Sequence, residues 1–297
     1  MRVDPCYFYT PALRVGSVLR SESPPGAARV LDLEDSIPKR AKAAARDQLA
    51  AVDLSGTGLP GVALRVNCIE TPDGLADLRM LLDLDGQIGG VPVQAVLVPK
   101  VAAGRDVAIY RSLLSGLSHP PEIASFIETL DAVENAYDIA AASDALCFGQ
   151  ADLLSEMYAP DESFLAHARA RLCVAAARYG LPAIDTNSFE LWDTEVIRAQ
   201  SEAAKRCGFT GKAAIHPKQV EVIVKTFSVD PEELDGYLRT IKDYESQANG
   251  FAVTKDRVLA PPFVAKARRM LALFENGRGP GPLTRPPHTT DLRGGHP

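Results

Sequence analysis

Glu128 in SFIET, Asp152 in FGQADL and Arg65 in LRVN each stand at the end of a short apolar run of the kind that forms a buried strand. Drawn to one cavity, the two carboxylates can jointly bind a hard divalent cation, with water and substrate oxygens completing the octahedron that Mg2+ prefers. No cysteine or histidine spacing suggests zinc. Arg65 is the natural partner for negative charge developing on a substrate oxygen, because its planar fork stays protonated and donates two parallel hydrogen bonds. Metal plus arginine describes a site that stabilises an enolate. Other polar residues fall at comparable places: Glu34 and Asp35 in LDLEDS, Asn67 in LRVN, Lys100 in VLVPK, Asp185 in AIDT and His216 in AIHP. Some of these have plainer readings. An acid at a strand exit is often a helix N-cap, which suits Asp35 and Asp185. Arg65 can be half of a buried ion pair. His216, beside Pro217, suits holding the last turn through hydrogen bonds better than acting as a base.

For these groups to meet, the chain must gather the ends of several strands. Short apolar runs recur at Cys6 to Tyr9, Arg29 to Leu33, Val62 to Val66, Val93 to Val98, Ile123 to Ile127, Ala145 to Phe148, Pro182 to Ile184 and Lys212 to Ile215. Each reads as a buried parallel strand. Helical periods lie between them. Thr129 can cap a helix whose Leu130, Val133, Ala136 and Ala140 share a face; Asp161 can cap another carrying Leu165, Ala168, Leu172 and Ala175, stopped by Gly180. Eight strands alternating with helices are what a closed (β/α)8 TIM barrel requires. An open doubly wound sheet is the competing architecture; the barrel is favoured because only closure brings exits from so many strands together. The segment LDLEDSIPKRAKAAAR poses a question of its own. Leu31 and Leu33 belong inside a sheet, yet Asp32, Glu34 and Asp35 crowd its exit and repel one another unless water, a cation or hydrogen-bond donors satisfy them.

We expect residues 1–220 to form the barrel, 221–276 a C-terminal helical extension built from Val220 to Lys225, Glu232 to Gln247 and Phe263 to Phe274, and 277–297, rich in Gly and Pro, a disordered tail. With 46% hydrophobic and 24% charged residues and a formal net charge of -6, the chain has no global attraction to nucleic acid or to an anionic membrane. Five cysteines without CxxC spacing read as reduced, packed thiols. No signal-peptide core and no apolar run near the ~20 residues of a membrane span are present, so the cytoplasm is the default location.

The stretches LDLEDSIPKRAKAAAR, LRVN, VPK, IETLDAVENA, FGQADL, GLPAID and GFTGKAAIHPKQV, in that order from about residue 28 to 220, resemble the citrate lyase β-subunit-like branch of the HpcH/HpaI aldolases, which includes malyl-CoA and citramalyl-CoA lyases. The resemblance implies a (β/α)8 barrel with a C-terminal helical extension, often a homotrimer or hexamer, making or breaking carbon–carbon bonds next to a carboxylate with Mg2+. It implies Glu128 and Asp152 as metal ligands and Arg65 as the enolate-stabilising, substrate-binding arginine. Glu34 and Asp35 match acids near the metal that act through water, and with Lys100 complete the expected substrate-binding set. The acidic cluster would then serve the outer shell of a cation and cap the next helix.

Two departures bear on the substrate. Where such proteins commonly carry a VPGN-like turn near the CoA phosphates, this chain has YTPALR at residues 9 to 14; without the glycine, close backbone approach to a phosphate is harder. Where many carry DGxMID, whose last Asp enters a neighbouring subunit's site, KDRVLAPP leaves Ala260. The expected activity is a lyase or aldolase acting on a small oxo or hydroxy acid, or its CoA thioester. The alternatives are thioester hydrolysis on the same site and a non-catalytic oxo-acid-binding homologue.

Overall fold

The computed structural model describes residues 4–18, 26–158, 161–228, 230–246, 252–253 and 258–275. Eight parallel strands appear where the apolar runs place them: β1 (Cys6–Pro11), β2 (Ala27–Asp32), β3 (Val62–Arg65), β4 (Val91–Val98), β5 (Glu122–Ile127), β6 (Ala145–Phe148), β7 (Ala183–Asp185) and β8 (Gly211–Ala214). Each pairs with the next, and β8 pairs back onto β1, so the sheet closes. Closure rules out the open doubly wound sheet. A two-residue strand, Gln87–Ile88, adds antiparallel to the start of β4.

Alternation along the strands divides the core in two. Tyr7, Val30, Ala63, Ala95, Leu97, Ala124, Phe126, Ala145, Cys147 and Ile184 fill the barrel interior. Leu31, Leu33, Leu64, Val96, Val98 and Ile127 face outward onto the helices, so each strand is apolar on both sides. The interior face of β2 ends at Asp32 and that of β3 at Arg65, both at the same rim.

Asp161 caps Glu162–Tyr179, its side chain accepting from the Phe164 N–H, and Gly180 ends that helix with φ of 67°. The helix expected after Thr129 is broken in two, Leu130–Glu134 and Ala136–Ala142, at Asn135, whose Nδ2 donates to the Ala102 carbonyl at 2.9 Å. Leu130, the first residue of the first piece, is 40% exposed and so not on the buried face expected for it. Beyond the barrel strands, Pro217–Phe227, Pro231–Glu245 and Pro261–Glu275 are helical, and the last two pack together. The tail 277–297 lies outside the described residues. Among the described residues no helix is long and apolar enough to cross a membrane.

Candidate active site

The strand exits converge on a cavity of about 370 Å³, with Asp32, Asp35, Arg65, Glu128, Asp152 and Asp185 on its wall. A larger recess, about 910 Å³, opens among residues that begin the strands, such as Arg29, Val62 and Glu122. None of the expected site residues lines it, whereas six of the strand-exit acids and Arg65 are on the wall of the smaller cavity or contact residues that are.

Arg65 is held from two directions. Asp32, its register partner across β2 and β3, accepts from Nε and Nη2, both at 2.7 Å, in a bidentate pair. Glu34 Oε2 lies 2.7 Å from Nη1, and Asp35 Oδ2 lies 3.3 Å away. The guanidinium also sits over the rings of Tyr9 and Phe126, at 5.2 and 5.9 Å. Arg65 is thus half of a buried ion pair, the plainer reading, and also lines the cavity. Burial opposes its charge, but Asp32 and Glu34 outweigh that and raise its pKa well above the ordinary value. Burial likewise works against an ionised Asp32, yet the charge and hydrogen bonds of Arg65, with N–H groups of Ser36 and Glu34, hold its carboxyl below the ordinary value.

The acidic cluster does not cap the next helix. Lys39–Ala41 and Lys42–Ala51 begin without a side-chain cap, whereas Asp32 accepts from the Glu34 and Ser36 N–H groups and so folds its own turn. Glu34 is pushed up to about 8, by burial first and by the charges of Glu128, Asp35 and Asp32, against the pull of Arg65. The 2.7 Å contact with Arg65 lowers it but does not outweigh burial and the neighbouring acids.

On the facing side, Glu128 is 1% exposed and accepts from the Lys100 N–H at 2.8 Å. Burial pushes it up to about 7, with Lys100 opposing and Asp152 assisting. Gly149 leaves it room, since a Cβ there would collide with the Glu128 side chain. Gly149 also precedes the short helix Gln150–Ser155, whose first turn carries Asp152. Lys100 Nζ contacts Asp152 Oδ1 and lies 3.7 Å from Glu128 Oε1. Glu34 and Lys100 thus reach the cavity wall through the residues they contact.

Three other residues from the strand exits have partners away from the two carboxylates. Asn67 turns away to donate from its N–H and Nδ2 to Asp77, while its Oδ1 accepts from Lys42. Asp185 lies between Arg169 Nη1, 2.7 Å from Oδ1, and Lys212 Nζ, 2.6 Å from Oδ2, instead of capping a helix; Asp193 caps the helix that follows. His216 begins Pro217–Phe227 and accepts from the Lys218 N–H at 3.3 Å, the turn-holding role expected for it. Ala260 directly precedes Pro261–Glu275. In YTPALR, β1 runs through Pro11, Ala12 is fully buried, and Leu13 and Arg14 turn out to the surface.

Among the described residues no cluster of three or more His, Cys, Asp or Glu forms a ready metal cage. Glu128 and Asp152 nevertheless fit a hard cation: both are oxygen donors on one cavity wall and already share a positive group, Lys100.

Comparison with known proteins adds an independent line. Residues 28–217 match the family described as HpcH/HpaI aldolase/citrate lyase. A protein named (3S)-malyl-CoA thioesterase from Cereibacter sphaeroides is 29% identical over 279 residues, covering 90% of this chain and 93% of that one. A citrate lyase subunit beta-like protein from Deinococcus radiodurans is 31% identical over 262 residues, covering 82% and 88%. The crystal structure of CitE from Mycobacterium tuberculosis, in complex with magnesium, acetoacetate and coenzyme A, has a similar fold, with a TM-score of 0.69 and 24% identity over 92% of this chain and 98% of that one.

Proposed function

The chain belongs to the HpcH/HpaI aldolase/citrate lyase family of carbon–carbon lyases, and from that premise we propose that it makes or breaks the bond next to the carboxylate of a small oxo or hydroxy acid, free or as its CoA thioester, in a Mg2+-dependent reaction. The observation that carries this reading is the meeting of Glu128, Asp152 and Arg65 on one cavity. Mg2+ held by the two carboxylates would polarise the substrate oxygens and help spread the enolate charge. Arg65 faces that charge with a fixed fork: Asp32 accepts from two of its N–H groups and Asp35 from a third, Glu34 pairs with the same Nη1, and others of its five remain for substrate. Phe126, Phe148 and Ile184 give the cavity apolar walls, which would strengthen each of these interactions once a substrate covers its mouth. As a homotrimer or hexamer, the assembly the resemblance suggests, the chain would present one such cavity per subunit, with the cytoplasm as its default location.

Arg65→Ala should abolish turnover on a confirmed substrate while leaving a folded protein. Glu128→Gln or Asp152→Asn should each weaken Mg2+ binding by about ten-fold or more, measured by calorimetry, because a negative charge is lost at nearly constant shape. Unchanged affinity in both variants would remove the metal assignment.

Hydrolysis of a CoA thioester on the same site is a second reading, favoured by the relative named as a malyl-CoA thioesterase. Product analysis separates the two: free acid plus CoA supports hydrolysis, an oxo acid plus a shorter thioester supports lysis. A non-catalytic oxo-acid binder would leave the methyl protons of pyruvate unexchanged in deuterated water with Mg2+ present.

A further inference from the structure

Lys100 follows β4 with φ of 56°, a left-handed conformation that a residue with a side chain rarely adopts. That turn serves Glu128 and Asp152 at once. The Lys100 N–H donates to Glu128 Oε1 at 2.8 Å, and its ammonium reaches back to contact Asp152 Oδ1, 3.7 Å from the same Glu128 oxygen. The ammonium therefore stands between the two carboxylates assigned to Mg2+.

Two cations cannot share that place. A Mg2+ ion draws its oxygen ligands to about 2.0–2.1 Å and takes the lone pairs an ammonium would use, while the two positive charges repel. We propose that Lys100 is a built-in counter-cation for the Glu128–Asp152 pair, expelled when Mg2+ enters, so that metal binding and release of the Lys100 side chain are one event. The proposal rests on the assignment of these carboxylates to Mg2+. The exit is open: the Lys100 side chain is 35% exposed, on a flexible four-carbon stem. Without the metal, the ammonium relieves a charge that the nearly inaccessible Glu128 cannot share with water.

The test is Lys100→Met, which keeps the backbone N–H and the stem but removes the charge, titrated with magnesium chloride beside the wild type. The variant should bind Mg2+ about ten-fold or more tightly, because the ion no longer displaces a competitor. Its melting temperature should fall below wild type without Mg2+, and the gap should close at saturating Mg2+. Binding by the variant where the wild type shows none would support the exchange most strongly. Equal or weaker affinity in the variant would overturn it, as would a melting gap that Mg2+ leaves unchanged. Absence of binding in both proteins would remove the underlying metal assignment and the exchange with it, whereas wild-type binding with no gain in the variant would overturn the exchange alone. If Lys100→Met does not fold, Lys100→Asn, which tolerates a positive φ, carries the same expectations.

Discussion

Asp32→Asn tests whether the site depends on how Arg65 is held as well as on its presence. In the wild type, Oδ1 accepts from Arg65 Nε and the Glu34 N–H, and Oδ2 from Arg65 Nη2 and the Ser36 N–H. An asparagine can keep the first two bonds, but its NH2 group then faces two donors, and the counter-charge is gone. Asp32 is 1% exposed and the Arg65 side chain 12%, so water cannot fully replace what is lost. Breaking one half of such a buried pair costs about 3–5 kcal/mol. At roughly 2–4 °C per kcal/mol for a chain somewhat smaller than this one, that is a fall in melting temperature of about 10 °C, which a typical domain survives. Misdirecting the guanidinium should lower kcat by about 10²–10³, the usual loss when a donor aimed at developing charge is removed. Steady-state kinetics on a confirmed substrate, beside thermal melts, measure both. Wild-type kcat with a lowered melting temperature would show that Arg65 does not need Asp32 for catalysis; an unchanged melting temperature would refute the buried-pair reasoning itself.

Glu34 supplies a pH signature. Its carboxyl is raised from 4.5 to about 8, so the folded chain holds this proton more tightly than the unfolded one, and the stability gained is complete below about 4.5 and lost as pH rises through about 8. The difference in melting temperature between wild type and Glu34→Gln, followed without metal across that range, should shift against the wild type as pH rises; a pH-independent difference would contradict the burial argument. Gly149→Ala should weaken Mg2+ binding by about ten-fold or more by displacing the Glu128 side chain, with little effect expected if Glu128 is not a ligand. Lys42 donates to the Leu33 and Glu34 carbonyls and to Asn67 Oδ1, each at 2.7 Å; Lys42→Met leaves three acceptors without that donor and should cost about 3 kcal/mol or more in a denaturant titration. A loss below 1 kcal/mol, about the worth of an exposed pair, would show that this ammonium does not hold the loop.

The barrel was legible because every strand carries its own apolar run, and because exits rich in charge make sense only when gathered. Arg65, Glu128 and Asp152 could be chosen for the same local reason. What the sequence concealed are partners set by distance along the chain. Asp77, 0% exposed in the helix Pro72–Asp83, reads locally as an ordinary acid, and only the fold shows it accepting from Asn67 and from Arg46. The break at Asn135 was hidden likewise, since the residue's side chain answers to a carbonyl 33 positions earlier.

Asp32 is the instructive omission from the candidate set. It stood in the acidic cluster, but Glu34 and Asp35 drew the functional reading because they lie beyond the strand. Parity carried the missing signal: if Leu31 and Leu33 face the helices, Val30 and Asp32 must face the barrel interior, as they do. Parity alone still does not name the partner. That depends on register, and β2 and β3 pair with Asp32 directly opposite Arg65. A slip of one residue would send one of the two side chains to the outer face and leave the other charge alone among apolar neighbours, at several kcal/mol. The pair is thus a device for register as well as for positioning, and the requirement that fixes the strands in place also aims the guanidinium at the cavity.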